Sequence, residues 1–280
     1  MRTQSRDTSP EAERVLIGLI RNASIAKRFK SVQAITTFAA MLNLRNIRQQ
    51  QSGATTEEVA LLFVADHHNR TLANNLYKAL QQKTTELTID LLDAITPVIA
   101  AFEQSKIVYY MQGTVAASLY GLQRATFAID LVADLYTKHA DVLLEQLKLA
   151  YAIDEQVIRE AISARTCFDI VHIKSLVKVT VSLSQNHPFE QGIRRRLQRC
   201  VLAENSPSIC VASPEDIVLT QLKEYQAGGE VADDQWNEIL GVLKVQSTNL
   251  DFPYLERRAS KLNIADLLKQ GYVDAGLQTG

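Results

Sequence analysis

YYMQGTVAASLYGLQRATFAID, Tyr109 to Asp130, carries the change of pattern that decides the fold. Ile107 to Met111 is a short β-branched and aromatic run, which predicts a strand ending at Gly113-Thr114. Val115, Ala116, Leu119 and Tyr120 recur at helical spacing until Gly121 stops them. Thr126 to Val132 predicts a second strand, with Thr126, Ala128, Asp130 and Val132 on one face and Phe127, Ile129 and Leu131 on the other. Gly113 admits close backbone approach. Thr114 offers a hydroxyl at a helix N-terminus, where free N–H groups and the helix dipole favour a phosphate. The returning strand brings Asp130 toward that end, where a carboxylate can hold a metal on the phosphate. By themselves, Gly113 and Thr114 read more readily as a turn glycine and a helix cap.

Upstream, the chain predicts helices only. Ser9-Pro10-Glu11 is a capped start, followed by Val15, Leu16, Leu19 and Ile20 on one face. A second helix carries Phe29, Val32, Ile35, Ala39 and Leu42 until Ser52-Gly53 breaks it. Thr55 or Thr56 caps a third, and Leu72, Leu76 and Leu80 stripe a fourth. Thr88 to Gln104 is amphipathic, with Pro97 as a kink or a new start. Downstream come helices near 138–150 and 154–164, strands near 166–174 and 177–183, and a capped start at Ser213-Pro214. Helices near 236–244, 252–262 and 264–270 close the chain. The expected class is α+β: a small mixed β-sheet core with a helical C-terminal tail, preceded by an all-α N-terminal module. The expected boundaries are 1–82, 86–211 and 212–280, with the first module separable near Gln82.

Composition narrows the function classes. The chain has 280 residues, 46% hydrophobic and 22% charged, with 11 Gly and 6 Pro, which excludes a disordered or low-complexity chain. Thirty basic against 31 acidic side chains leave no global reason to expect nucleic-acid binding. No apolar run reaches the ~18 to 20 residues of a membrane span. The polar N-terminus lacks the core of a signal peptide. Cys167, Cys200 and Cys210 show no metal or disulfide spacing. A cytoplasmic protein with no membrane partner is expected.

The ordered set Gly113-Thr114, helix, Gly121-x-x-Arg124-x-Thr126-x-Ala128-x-Asp130 resembles the nucleotidyltransferase superfamily with the DNA polymerase β and kanamycin nucleotidyltransferase fold. Within it, the chain is similar to the branch of AbiEii toxins from bacterial toxin–antitoxin systems. FDIVHIKSLVKVTVSL, Phe168 to Leu183, resembles the strand pair that supplies the third family carboxylate, and ASPEDIVLTQLKEYQAGGE, Ala212 to Glu230, the family's Ser-Pro-Glu-Asp helix. DTSPEAERVLIGLIRN and GATTEEVALLFVADHH are similar to a small uncharacterised bacterial helical family.

The resemblance implies three carboxylates holding two Mg²⁺ ions that activate an attacking hydroxyl and bridge nucleotide phosphates. This sequence keeps Asp130 as catalytic and metal ligand, but has Ala128 and Thr180 at the other two positions. Gln112 replaces the first family glycine. One carboxylate should not hold two dications. Asp134 and Asp169 are the acids available as substitutes. The resemblance also implies nucleotide contacts from Gly113, Thr114, Arg124, Lys178 and Lys223, with Glu238 in support as a partner for Lys223. Arg194, Arg195, Arg196 and Arg199 form a basic cluster that would meet RNA or phosphate, or simply face solvent. The histidines have no metal spacing.

Three functional readings follow. One is a pseudoenzyme with a nucleotide-binding cleft, for an NTP or another nucleotide, and weak or no transfer. Another is an active toxin-type enzyme, using Mg²⁺ to move a nucleoside monophosphate from an NTP to an RNA end or a protein hydroxyl. The third is a module that binds a protein partner through residues 1–82.

Overall fold

The computed structural model describes residues 2–3, 7–81, 87–204 and 206–277. The module boundary expected at 82–86 lies outside them. In chain order the elements are α1 (Pro10–Arg21), α2 (Ile25–Gln50), α3 (Thr56–His67), α4 (Arg70–Leu80), α5 (Leu91–Gln104), β1 (Tyr109–Gln112), α6 (Gly113–Tyr120) and β2 (Ala128–Ala133). A 3-10 turn at Thr137–His139 leads to α7 (Ala140–Leu147), β3 (Tyr151–Ala152), α8 (Glu155–Ala164), β4 (Cys167–His172), β5 (Lys178–Leu183), α9 (Pro188–Arg194), β6 (Gln198–Val201) and β7 (Ser208–Val211). Then come α10 (Pro214–Ala227), α11 (Asp233–Gln246), α12 (Phe252–Lys261) and α13 (Ala265–Ala275). The protein is α+β, as the sequence predicts.

The chain divides into two compact units, each built from separated segments. The first comprises Met1–Val32, Gln112–Arg124 and Gly192–Gly280, and the second Gln33–Met111 and Ala125–Gln191. One division falls inside α2, after Val32.

In the first unit α11 is the central helix, with α1, α6, α10 and α13 packed on it. Ile17 and Ile20 of α1 join Leu122 and Val245 in one apolar cluster. The end of α6 approaches α11 so closely that a Cβ on Gly121 would lie 2.8 Å from the Val242 nitrogen. Gly121 therefore does more than stop a helix: no larger residue fits there without moving backbone. β6 and β7 form an antiparallel hairpin.

The second unit holds a sheet in the order β3-β4-β5-β2-β1. β2 runs parallel to β5, whereas β4 is antiparallel to both β5 and β3. Ile129, Leu131, Val179, Val181, Phe168 and Ile170 point to a closed face, each at most 2% exposed. Ala128, Asp130, Asp169, Lys178 and Thr180, which alternate with them, are half-buried. Ala40, Leu44 and Ile47 of α2 pack with Phe63 and Val64 of α3, Leu72 and Leu76 of α4, and Val171 and Ile173 beside the sheet.

Local signals located most elements. Ser9 accepts the Ala12 N–H, and Thr55 and Glu58 close a reciprocal cap. Pro97 sits inside a continuous α5, started instead by Asp90. The hairpin β6/β7, the two-residue β3 and the seven-residue α9 went unpredicted; all are too short to show a period. The apolar faces of α1 and α2 also differ from expectation. Ile17 and Ile20 are buried while Val15, Leu16 and Leu19 are exposed; Thr36, Ala40, Leu44 and Ile47 are buried while Ile35 and Leu42 are exposed. Both helices carry apolar residues around more of their circumference than the core uses.

Candidate functional site

The expected site residues fall in both units. Gly113, Thr114, Arg124, Lys223 and Glu238 belong to the first, and Asp130 and Lys178 to the second.

In the first unit, Gly113 opens α6 with φ of +70°, a left-handed conformation that favours glycine. Thr114 beside it is not directed to solvent. Its Oγ1 donates to Glu238 Oε1 at 3.0 Å. Arg124 Nη1 reaches the same Oε1 at 2.9 Å, while Nη2 reaches Asp234 Oδ2 at 3.0 Å. Gln221 Nε2 donates to Glu238 Oε2 at 2.7 Å. Glu238 is 9% exposed, and burial pushes its carboxyl above the usual range against the pull of Arg124, Thr114 and Gln221. The carboxylate thus occupies both groups that the sequence assigned to phosphate. Its cation is Arg124 rather than Lys223, which lies on an exposed position of α10. The sequence missed Gln221. It sits four residues after Ile217 and three after Val218, on the buried stripe of α10. A polar residue on such a stripe signals an internal hydrogen bond.

In the second unit, parallel pairing sets Ala128 beside Lys178 and Asp130 beside Thr180. Antiparallel pairing then sets Thr180 beside Asp169. All five side chains share the half-buried face of the sheet. Thr180 Oγ1 donates to Asp169 Oδ1 at 2.7 Å, and Lys178 Nζ lies 3.8 Å from Asp169 Oδ2. Burial pushes the Asp130 carboxyl above the usual range; Lys178 opposes the rise, Asp169 adds to it, and the Thr180 hydroxyl opposes it. Asp169 is therefore part of the Asp130 cluster. Asp134 is not: β2 ends at Ala133, and Asp134 pairs with Arg165 at 3.2 Å.

These donors do not fit the two-metal site implied by the resemblance. Two carboxylates flank one hydroxyl, and a lysine ammonium already sits against one of them. Mg²⁺ needs near-octahedral oxygen donors with charge to offset dehydration, and the ammonium competes for that charge. Among the described residues no three His, Cys, Asp or Glu side chains converge as a ligand group.

The remaining candidates are structural. Arg196 lies over the Tyr254 ring at 4.0 Å, with Glu215, Asp216 and Asp251 around its guanidinium at 2.9 to 3.7 Å. Arg199 Nε donates across the hairpin to Ser208 Oγ. Arg196 and Arg199 of the arginine run thus have internal partners. His67 stacks on Phe63 and donates to its carbonyl; His68 donates to the Leu176 carbonyl. His172 hydrogen-bonds with Ser175.

No protein-family model matches the chain. No curated protein matches it either. Among solved structures, the chain is similar to the crystal structure of an antigenic nucleotidyltransferase-like protein from Paracoccidioides brasiliensis, with 17% identity and a TM-score of 0.42 over 66% of this chain and 90% of that one. Among the described residues no helix is long and apolar enough to cross a membrane.

Proposed function

We propose that the protein is a nucleotidyltransferase-like, nucleotide-binding protein that has lost metal-dependent transfer. One observation carries the reading: the three positions expected to hold carboxylates are brought together on one sheet face, but they hold Ala128, Asp130 and Thr180. The residues around them compensate in charge without restoring ligands. Thr180 donates a hydrogen bond to Asp169, and the Lys178 ammonium lies against the same carboxylate, where the resemblance implies metal. On this reading Asp130 has no catalytic partner. Gly113, Thr114 and Arg124 form the phosphate end of a nucleotide site, and a phosphate entering it displaces Glu238 from Thr114 and Arg124. Lys223 is the further cation of this proposed site.

The test is a restored site. Ala128→Asp with Thr180→Asp should melt lower than the parent in EDTA, because clustered carboxylates repel, and should recover with Mg²⁺ or Mn²⁺. Either change alone should do much less. The parent should bind nucleotide in a thermal-shift panel without metal dependence and transfer no label. Transfer of labelled nucleotide by the parent, abolished by Asp130→Ala, would replace this reading with the second one: a toxin-type enzyme acting on an RNA end or a protein hydroxyl.

A further inference from the structure

We infer that the outer face of α2 is a docking surface for an acidic amphipathic helix of another protein. Along Gln33–Gln50, the inner face is committed: Thr36, Ala40, Leu44 and Ile47 are buried, and Gln33 and Thr37 hydrogen-bond to the chain at Ile89 and Leu91. The opposite face carries Ile35, Phe38, Met41 and Leu42, exposed by 42, 65, 63 and 51%. Their spacings of three and four place them in one stripe about two turns long. Scattered exposed apolar residues are ordinary, but a contiguous stripe marks an interaction site.

The charges next to the stripe select the occupant. Arg45 lies four residues beyond Met41, and Arg48 three beyond Arg45, so both continue the stripe along the helix. Both are exposed, and neither makes an ion pair or side-chain hydrogen bond among the described residues. The 26-residue helix contains no Asp or Glu. A partner helix with apolar residues at i, i+3, i+4 and i+7 and acids in its next turn would match apolar to apolar and carboxylate to guanidinium.

Other occupants fit less well. A second copy of α2, packed antiparallel, brings Arg45 and Arg48 toward the end that carries Lys27 and Lys30, so like charges meet. A membrane-surface helix needs cations beside its apolar face along its length and freedom to sink that face into lipid. Here the exposed cations lie at the two ends of the helix rather than along the apolar stripe, and the inner face holds the helix in the core. Nucleic acid would leave the four apolar side chains without a partner.

The test uses the full chain and designed peptides of about 18 residues, five helical turns. One has leucines at i, i+3, i+4 and i+7 with glutamates over the adjoining turns; its counterpart carries lysines instead. Fluorescence anisotropy should show the glutamate peptide binding and the lysine peptide binding at least roughly tenfold more weakly, about 1.4 kcal/mol. Phe38→Asp with Met41→Asp, both at exposed positions, should abolish binding with an unchanged melting temperature. Arg45→Glu with Arg48→Glu should reverse the peptide preference. Equal binding of both peptides, or no binding of either, overturns the proposal. So does recruitment to anionic phosphatidylglycerol vesicles or to single-stranded RNA in place of the peptide, or a dimer in sedimentation that Phe38→Asp dissolves.

Discussion

Asp130 is held by opposing forces that a pH experiment can separate. Burial and Asp169 disfavour its charge, while Lys178 and Thr180 support it, and the net displacement is upward. A carboxyl whose pKa is higher in the folded chain than in the unfolded one binds more protons when folded. Its cost to stability is therefore absent below the ordinary carboxylate range and grows as pH rises through the raised value. Asp130→Asn keeps the shape and removes the charge. It should raise the melting temperature at pH 7 by about 2 °C, with the gain shrinking toward zero near pH 4. Calorimetry of both proteins across that range checks it; a gain independent of pH would mean that packing, not charge, separates them. The sequence placed Asp130 correctly on the shared face with Ala128, because side chains alternate strictly along a strand. It could not show that Asp169 joins them, since that depends on the register of two further strands.

Between elements, the contact of α1 with α11 rests on a buried ion pair. Lys244 Nζ lies 3.0 Å from Glu13 Oε1, with side chains 1% and 2% exposed, and Lys244 also donates to the Arg2 carbonyl. Arg21 caps the far end of α11 by donating to the Lys244 and Val245 carbonyls and to Ser247 Oγ. Breaking a buried pair leaves a charge in low dielectric, so Glu13→Ala should cost about 3–5 kcal/mol in urea unfolding. Glu13→Leu with Lys244→Met should recover most of that loss, because an apolar pair of similar volume avoids the desolvation penalty. A double variant as weak as Glu13→Ala alone would show that the contact depends on the charges. In the sequence, Glu13 reads as a first-turn acid that complements the helix dipole. Nothing local distinguishes it from Glu11, which is exposed; only the arrival of α11 does.

For the whole molecule, the same contacts bear on what folds alone. The caps and stripes of residues 1–82 suggest a module that can be cut away near Gln82, leaving a soluble remainder. Packing argues for a different result. Removing those residues would strip Glu13 from buried Lys244, Ile17 and Ile20 from Leu122 and Val245, and α3 and α4 from Val171 and Ile173. It would also remove Arg28, whose guanidinium donates to the Leu119 carbonyl at the end of α6. The expected outcome is a fragment that aggregates or melts without cooperativity, measured by soluble yield and calorimetry. A soluble fragment with a sharp transition would restore the boundary read from the sequence.

Residues near one another in the chain determined the strand–turn–helix–strand order at Tyr109–Asp130, the helix starts at Ser9, Thr55 and Ser213, and the common face of Ala128 and Asp130. Those features follow from φ/ψ preferences, capping and the fixed periods of helix and strand, all of which act over a few residues. Tertiary structure alone decided that Glu238 meets Thr114 and Arg124 rather than Lys223, that Asp169 meets Thr180, and that α2 buries Thr36 and Ala40 while exposing Phe38 and Met41. Each of those outcomes depends on which face an element turns toward partners far away in sequence. An apolar or charged side chain shows that it needs a partner, and only packing supplies one.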